Sequence, residues 1–288
     1  MKIANGWELI FFSRGYILLP FGQNFWTFED KFFILDLMAK MFANLTTQGF
    51  ELTFLSHAAA ILSRDFPEAV IQIESALENF KIPITEIIGS GGGETIGTQR
   101  LRKTLDGLGW QKTKFEIKKI INGVERESIT HEIDHVKAFI VNGRSCNIAL
   151  EIEWNNKDPF FDRDLENFKR LHAEGAISIG IIITRGSSLQ DSFLNLVRKF
   201  VTDRNMRSFN DLRQFNIKEP TARQQKEVND CILRGKTFQE CWTEKFVNDK
   251  FGAATTHWRK LMDRVNRGVG NPCPLLLIGL PAGIITFD

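Results

Sequence analysis

Two Asn-Gly dipeptides, at 122–123 and 142–143, constrain the fold of this chain more than any other feature of its sequence. Asn-Gly between runs of strand-forming residues is the strongest short-range signal of a tight hairpin turn. We therefore predict three consecutive strands joined by these turns, over residues 114–121, 128–141 and 147–154.

The segments after these strands predict an alternation of helices and a buried strand. A helix is expected over 162–174, ending at Gly175, and another over 189–201. Between them, the nearly continuous apolar run 177–183 is typical of a strand covered on both faces of a sheet. Three further helices follow, and apolar segments near the end predict short strands that return to the sheet. The three helices are predicted over 221–233, 237–248 and 255–266.

The first third of the chain reads as helical. Apolar residues recur at helical spacing from Phe28 to Leu45, behind a capping box at Thr27 and Asp30, and a second helix is expected over 67–80. A triple glycine at 91–93 then marks a loop, followed by a helix over about 98–108. The predicted fold class is α/β, a central mixed β-sheet flanked by helices, with a helical annex at residues 220–268.

Composition is that of an ordinary globular protein, with 43% hydrophobic and 25% charged residues. The formal net charge of +2 says little, although a purely electrostatic nucleic-acid binder is usually more basic. No apolar run reaches membrane-spanning length, and we see no signal peptide, so we expect a cytoplasmic protein. The four cysteines lack metal-binding spacing and are read as reduced thiols, at Cys146, Cys231, Cys241 and Cys273.

Three carboxylates form the candidate site. Glu151 and Glu153 lie two residues apart in a predicted strand and therefore point to the same face. Pairing across the 142–143 turn, which places Val141 opposite Arg144, brings Asp134 near Glu151, to within a residue or so of register. Hard oxygen ligands gathered at one point bind Mg²⁺, which activates water and stabilises charge during phosphodiester hydrolysis. A Glu-x-Glu pair alone is more often part of a solvated strand face than a site, but an Asp on the preceding strand, the meander before a helix and the buried strand after it favour a site here.

The arrangement Asp-x₁₆-Glu-x-Glu on adjacent strands resembles the PD-(D/E)XK nucleases, and among them the restriction endonucleases of the BamHI and BglII type. The run EIEWNNKDPFFDRDL at 151–165 resembles the BglII family, as does the segment from Gly91 to Trp110. The similarity covers about residues 85–190, and residues 271–274 near the end also resemble the family. It implies a restriction-endonuclease-like core and a catalytic set of Asp134, Glu151 and Glu153.

The resemblance further implies a homodimer that cuts double-stranded DNA at a short palindromic site with Mg²⁺. Asp134 and Glu151 would bind the metal, with a fourth ligand from the helix before the meander. Glu94 is the candidate for that ligand, while Glu86 and Glu116 stay open. Three regions are expected: an N-terminal helical segment packed on the core, the catalytic core, and the annex with the C-terminal strands, at 1–84, 85–219 and 220–288.

Four cations are candidate DNA contacts. Lys157 and Arg163 follow the acidic motif, where positive charge would meet phosphate, although Lys157 lies beyond the strand and a solvated helix face explains Arg163 nearly as well. Arg259 and Lys260 would start the second helix of a helix-turn-helix unit within the annex. The leading function is a type II restriction endonuclease. A structure-selective repair or junction nuclease and a DNA-binding protein without catalysis are the alternatives.

Overall fold

The computed structural model describes residues 41–89, 95–215 and 217–287, together with the backbone of three N-terminal strands. The chain divides into two compact units, Met1–Met41 and Phe42–Asp288. The first contains an antiparallel sheet of β1 (Lys2–Ile3), β2 (Trp7–Phe12) and β3 (Gly15–Pro20). Most of the predicted helix over 28–45, including its capping box, lies outside the described residues.

The second unit alternates helices and strands along the chain, as the sequence predicts. The elements of its first half are α1 (Ala43–Thr47), β4 (Glu51–Leu55), α2 (Ala58–Asp65), α3 (Pro67–Glu78), β5 (Ile82–Pro83), α4 (Ile84–Gly89), α5 (Ile96–Gly107), β6 (Gln111–Ile121) and β7 (Val124–Val141). Those of its second half are β8 (Arg144–Glu153), α6 (Phe160–Ala173), β9 (Ile179–Arg185), α7 (Ser187–Asp203), α8 (Phe209–Arg213), α9 (Ala222–Leu233), α10 (Phe238–Phe251), α11 (Trp258–Asn266), β10 (Leu275–Leu280) and β11 (Ile285–Thr286).

A six-stranded mixed sheet with the order β4-β10-β9-β8-β7-β6 forms the centre of this unit. Strands β8, β9 and β10 are parallel, whereas β6, β7 and β8 form the predicted antiparallel meander. Both Asn-Gly turns have positive φ at each residue, 50° at Asn142 and 76° at Gly143 for example, as a two-residue type I′ hairpin requires. The α/β fold class is thus confirmed.

Helix α6 packs on β9 through a close contact that only glycine allows. A Cβ atom placed on Gly180 would lie 2.4 Å from the ring of Phe168, so any side chain there would push the helix away from the sheet. Phe161, Leu165 and Phe168 are fully buried in the core on this side of the sheet. This packing fixes where α6 stands relative to the end of β8.

The N-terminal and C-terminal parts differ from the sequence-based expectation. The segment 1–84 contains strands as well as helices, and β4 joins the edge of the central sheet beside β10. β10 returns to the sheet as predicted, but β11 pairs with β5 in a separate two-stranded sheet. Short strands within a helix-rich region lack enough periodicity to be read from sequence.

The helices of the annex do not form one separate group. α10 packs on α7 and α9, whereas α11 packs on α6 and contributes Trp258, Leu261 and Val265 to the central core. The reading of all four cysteines as reduced thiols was also wrong for this structure. Cys231 and Cys241 form a disulfide because α9 and α10 bring their Cα atoms to 5.7 Å. No helix in the described part of the chain is long and apolar enough to cross a membrane.

Candidate active site

The predicted register of the second hairpin is confirmed. Val141 pairs with Arg144, and the ladder continues to His135 and Leu150, one step before Asp134 and Glu151. At that step the backbone N–H of Asp134 donates a hydrogen bond of 3.4 Å to Oε1 of Glu151. The structure therefore brings Asp134 and Glu151 together across the two strands.

A β-bulge lies at Asp134. The register of β6 against β7 slips at Lys112, so that two residues of β7, Asp134 and His135, stand opposite it. The ammonium group of Lys112 lies 3.5 Å from Asp134 and 2.6 Å from Glu132. Bulges of this kind redirect a side chain and are frequent beside active sites. The side chain of Asp134 is 55% exposed, which makes it the open member of the cluster.

Glu151 and Glu153 are both buried, each with only 3% of its surface exposed. Burial raises the pKa of Glu151 well above its usual value, and the charges of Asp164 and Asp134 raise it further. Burial raises the pKa of Glu153 to about 8, helped by the charge and a hydrogen bond of Asp164. Desolvation and neighbouring carboxylates both disfavour the ionised form, so these side chains would lose protons readily only beside a cation.

Asp164 of α6 is a fourth carboxylate, and it was missed in the sequence analysis. It is 1% exposed, and its Oδ2 atom is buried without a hydrogen bond. Burial raises its pKa. The signal that could have found it is its position: with Phe161, Leu165 and Phe168 it occupies the apolar face of an amphipathic helix. A carboxylate on that face is almost never buried without a specific reason.

Arg163 closes the cluster from the solvent side. Its Nε donates to Oδ1 of Asp164 at 2.8 Å, and its Nη2 lies 2.7 Å from the same oxygen. Nη2 also lies 3.5 Å from Oε1 of Glu153. The side-chain amide of Asn156 donates a hydrogen bond to Oε2 of Glu153, at 2.8 Å. Among the described residues, Arg163 is the one cation within ion-pair distance of the buried carboxylates.

A cleft of about 1030 Å³ opens beside this cluster, and Asp134 lines it. One wall comes from α5, with Thr98 and Arg102, and another from α9 and α10, with Gln224 and Trp242. Glu151 and Glu153 are not among the lining residues. Asp134 thus connects the open cleft with the buried carboxylates.

The other acidic candidates are placed away from the cluster or outside the described residues. Glu94 lies outside the described residues. Glu86 forms an ion pair with Arg100 at 2.5 Å, and Glu116 accepts a hydrogen bond from Ser128 on the outer part of the meander. Neither Glu86 nor Glu116 is brought to the three predicted catalytic carboxylates.

The remaining predicted cations are exposed and partly engaged. Lys157 lies beyond β8, where it forms an isolated antiparallel β-bridge with Thr255. Arg259 forms an ion pair with Asp191, and Lys260 lies 3.5 Å from Asp158. Both stand near the start of α11.

The carboxylate oxygens of this cluster are the type of ligand that a hard divalent cation binds. Mg²⁺ prefers carboxylate oxygens and keeps several waters, and the buried Oδ2 of Asp164 is an oxygen without a partner. As the side chains stand, no group of three or more His, Cys, Asp or Glu in the described part of the chain is arranged to hold a metal ion.

The comparison with protein families decides what this arrangement belongs to. Residues 50–280 match the family of restriction endonuclease BglII/BglIII. The chain belongs to the BglII/BglIII restriction endonuclease family. The match extends beyond the residues that carried the resemblance in the sequence, because it includes residues 50–84 and the annex. It is consistent with a type II enzyme of the PD-(D/E)XK type and supports restriction endonuclease activity in general terms. A search of curated proteins gives no match.

Proposed function

We propose that this restriction endonuclease hydrolyses phosphodiester bonds of double-stranded DNA at a short palindromic sequence, with Mg²⁺ and as a homodimer acting in the cytoplasm. The observation that carries the proposal is the juxtaposition of Asp134, Glu151 and Glu153 at the β7–β8 hairpin, in a chain of this family. Two-fold symmetry of a dimer would match the symmetry of a palindromic site.

The buried carboxylates support a catalytic role because they are unfavourable for the fold. Glu151, Glu153 and Asp164 are each at most 3% exposed, and one arginine stands beside them. Excess negative charge held away from water costs stability unless a cation joins it. Strongly shifted pKa values in such a cluster are typical of functional sites.

Asp134 and Glu151 would hold the metal, and Glu94 is proposed as a further ligand. When bound, Mg²⁺ would supply the electrophilic stabilisation of charge on the phosphate and the activation of a water molecule. Glu153 would accept a proton from that water, because it lies two residues from the proposed ligand Glu151 on the same strand and a carboxylate there can act as a general base. The water oxygen then bonds to phosphorus as one phosphorus–oxygen ester bond breaks.

Lys157, Arg163, Arg259 and Lys260 are proposed as phosphate contacts. Arg163 stands on the first turn of α6 beside Glu153 and Asp164, whereas Lys157 lies in the segment after β8. Arg259 and Lys260 stand on the first turn of α11. Thr256 and His257, just before α11, are buried and would not reach DNA. If α11 is a recognition helix, Arg259 and Lys260 are the residues of its first turn that would contact the DNA.

The deciding experiment is digestion of a long unmethylated linear duplex by purified protein, with Mg²⁺ and with EDTA. Discrete bands that need Mg²⁺ would support sequence-specific cleavage, and their ends would define the recognition sequence. A smear, or a preference for branched DNA, would favour a structure-selective nuclease. Intact DNA in both Mg²⁺ and Mn²⁺, together with tight binding, would favour a binding protein without catalysis.

A further inference from the structure

The acidic motif of this chain lacks a lysine at its last position, where Glu153 stands, so it has no cation of its own. Lys157 is an even number of residues from Glu151 and Glu153 and would share their face in a continuous strand. The structure instead places it after the end of β8, where it forms an isolated β-bridge with Thr255. Lys112 lies beside Asp134 on the exposed side and pairs with Glu132. Neither lysine stands over the buried carboxylates.

Arg163 does stand there. Its guanidinium lies 3.5 Å from Glu153 and 2.7 Å from Asp164, and its side chain is 52% exposed. It also lies against the ring of Phe160, with 4.4 Å between the guanidinium carbon and the ring centre. Nε and Nη2 of the guanidinium are thus held by Asp164, while the rest of the group is partly exposed to solvent. We call this exposed side, next to Glu153, the mouth of the cluster.

We propose that Arg163 is a catalytic residue that contacts the scissile phosphate, and that Asp164 is the positioning residue that holds it there. The inference rests on the proposed nuclease function. Nη1 of Arg163 has no hydrogen bond to any other described residue, which leaves its two N–H donors for a ligand. A guanidinium offers five donors in a rigid fork that matches a phosphate.

Position distinguishes this role from that of a general DNA contact. The partly exposed guanidinium lies 3.5 Å from Glu153, so a phosphate bound beside Glu153 would be within its reach. The charge would therefore act on the oxygens that become more negative as the ester bond breaks, which is where a fixed donor lowers the barrier most.

Asp164 acts through Arg163. Both hydrogen-bonding contacts of Arg163 with Asp164 go to the same oxygen, Oδ1. The Asp164 side chain is itself fixed by the burial of α6 against β9. A rigid carboxylate that holds one side of the guanidinium keeps the fork directed at the mouth of the cluster, and small misplacements of such a group slow the reaction strongly.

The test compares Arg163→Ala, Arg163→Lys and Asp164→Asn with Arg170→Ala, which removes an exposed arginine from the same helix. Single-turnover cleavage is measured with Mg²⁺ on a duplex containing the mapped site, and DNA affinity is measured with Ca²⁺ in place of Mg²⁺. Melting temperatures show whether each variant is folded.

We expect Arg163→Ala to slow single-turnover cleavage by about a hundredfold or more. It should lower the Ca²⁺-supported DNA affinity no more than Arg170→Ala does, and Arg170→Ala should cleave like the wild type. Arg163→Lys should recover part of the rate, because it restores the charge without the fork. Asp164→Asn should slow cleavage by roughly ten- to a hundredfold. In the Arg163→Ala background its effect should be much smaller, because the part that acts through the guanidinium is already lost, an outcome that a merely structural role would not produce.

Wild-type cleavage by Arg163→Ala would overturn the inference, as would a loss of DNA affinity that accounts for the whole loss of rate. An Asp164→Asn effect of equal size in both backgrounds would overturn the positioning role. In these cases the proposed function stands, provided that the wild type cleaves and Glu151→Gln does not. If the wild type cleaves no DNA, or if Glu151→Gln cleaves normally, the proposed function falls and the inference falls with it.

Discussion

Charges in the β8–α6 site and charges on the α9–α10 helix pair are arranged in opposite ways. On α9 and α10, Glu227 pairs with Arg223 and Lys245 at the surface, and these partners lower the pKa of Glu227. In the site, burial raises the pKa of Glu153 to about 8, and Arg163 is the one cation among the described residues within ion-pair distance of the buried carboxylates. On the helix pair Glu227 and Asp249 each stand beside a base, whereas the described residues of the site include more acids than bases.

The charges of the helix pair have little effect on folding stability, whereas those of the site lower it. Exposed ion pairs contribute little to stability, because water screens them and the side chains lose freedom. Buried carboxylates with too few cations destabilise the folded state. A chain that keeps such a cluster gives up stability for activity, which is a recurrent trade at active sites.

The largest expected effect is on cleavage. Glu151→Gln should reduce the single-turnover rate by at least about a thousandfold, because a proposed metal ligand is lost. Folding stability should stay the same or rise, since a buried carboxylate is removed while Oε1 can still accept from Asp134. Cleavage assays and thermal melts of the same preparation check both parts. Retained cleavage would show that Glu151 is no part of the site, and the same logic applies to Asp134→Ala.

The next effect is on DNA affinity. Replacing both Arg259 and Lys260 by alanine should reduce the slope of log affinity against log salt concentration by about two, one for each phosphate contact. Arg267→Ala, at the other end of α11, is the matched control and should leave the slope unchanged. Fluorescence anisotropy over a range of salt concentrations measures it. An unchanged slope in the double variant would remove α11 from the proposed DNA interface.

A smaller effect is the dependence of stability on pH in EDTA. The folded pKa of Glu153 lies above its unfolded value of about 4.5, so the folded state binds the extra proton. Stability should therefore fall as pH rises from about 4.5 to about 8, and Glu153→Gln should reduce that fall. Melting temperatures at several pH values measure it. Added Mg²⁺ should raise the melting temperature most at high pH, and a pH-independent wild type would contradict the shifted pKa.

The smallest effect is expected on the helix pair. Lys245→Ala removes the partner of Glu227 and Asp249. It should change the melting temperature little, and less still at high salt. Melts at low and high salt check this. A large loss of stability would mean that the two regions are less different than their charges indicate.

The sequence by itself determined the meander and much of its site. Asn-Gly turns impose their φ angles locally, and strand alternation decides which residues share a face, so the pairing of Val141 with Arg144 and the approach of Asp134 to Glu151 were both predictable. The continuous apolar run at β9 and the amphipathic pattern of α6 were also readable. Each of these signals is carried by neighbouring residues in the chain.

Only the tertiary structure decided which further groups join the site and where the last helices belong. Asp164 becomes part of the cluster because α6 lies tightly on Gly180 of β9, and Arg163 follows it. α11 enters the central core rather than pairing with α10. These outcomes depend on which faces meet across long separations in sequence. The free energy of burying an apolar face is nearly independent of where its partner lies in the chain. Local sequence patterns therefore cannot specify which faces pack together.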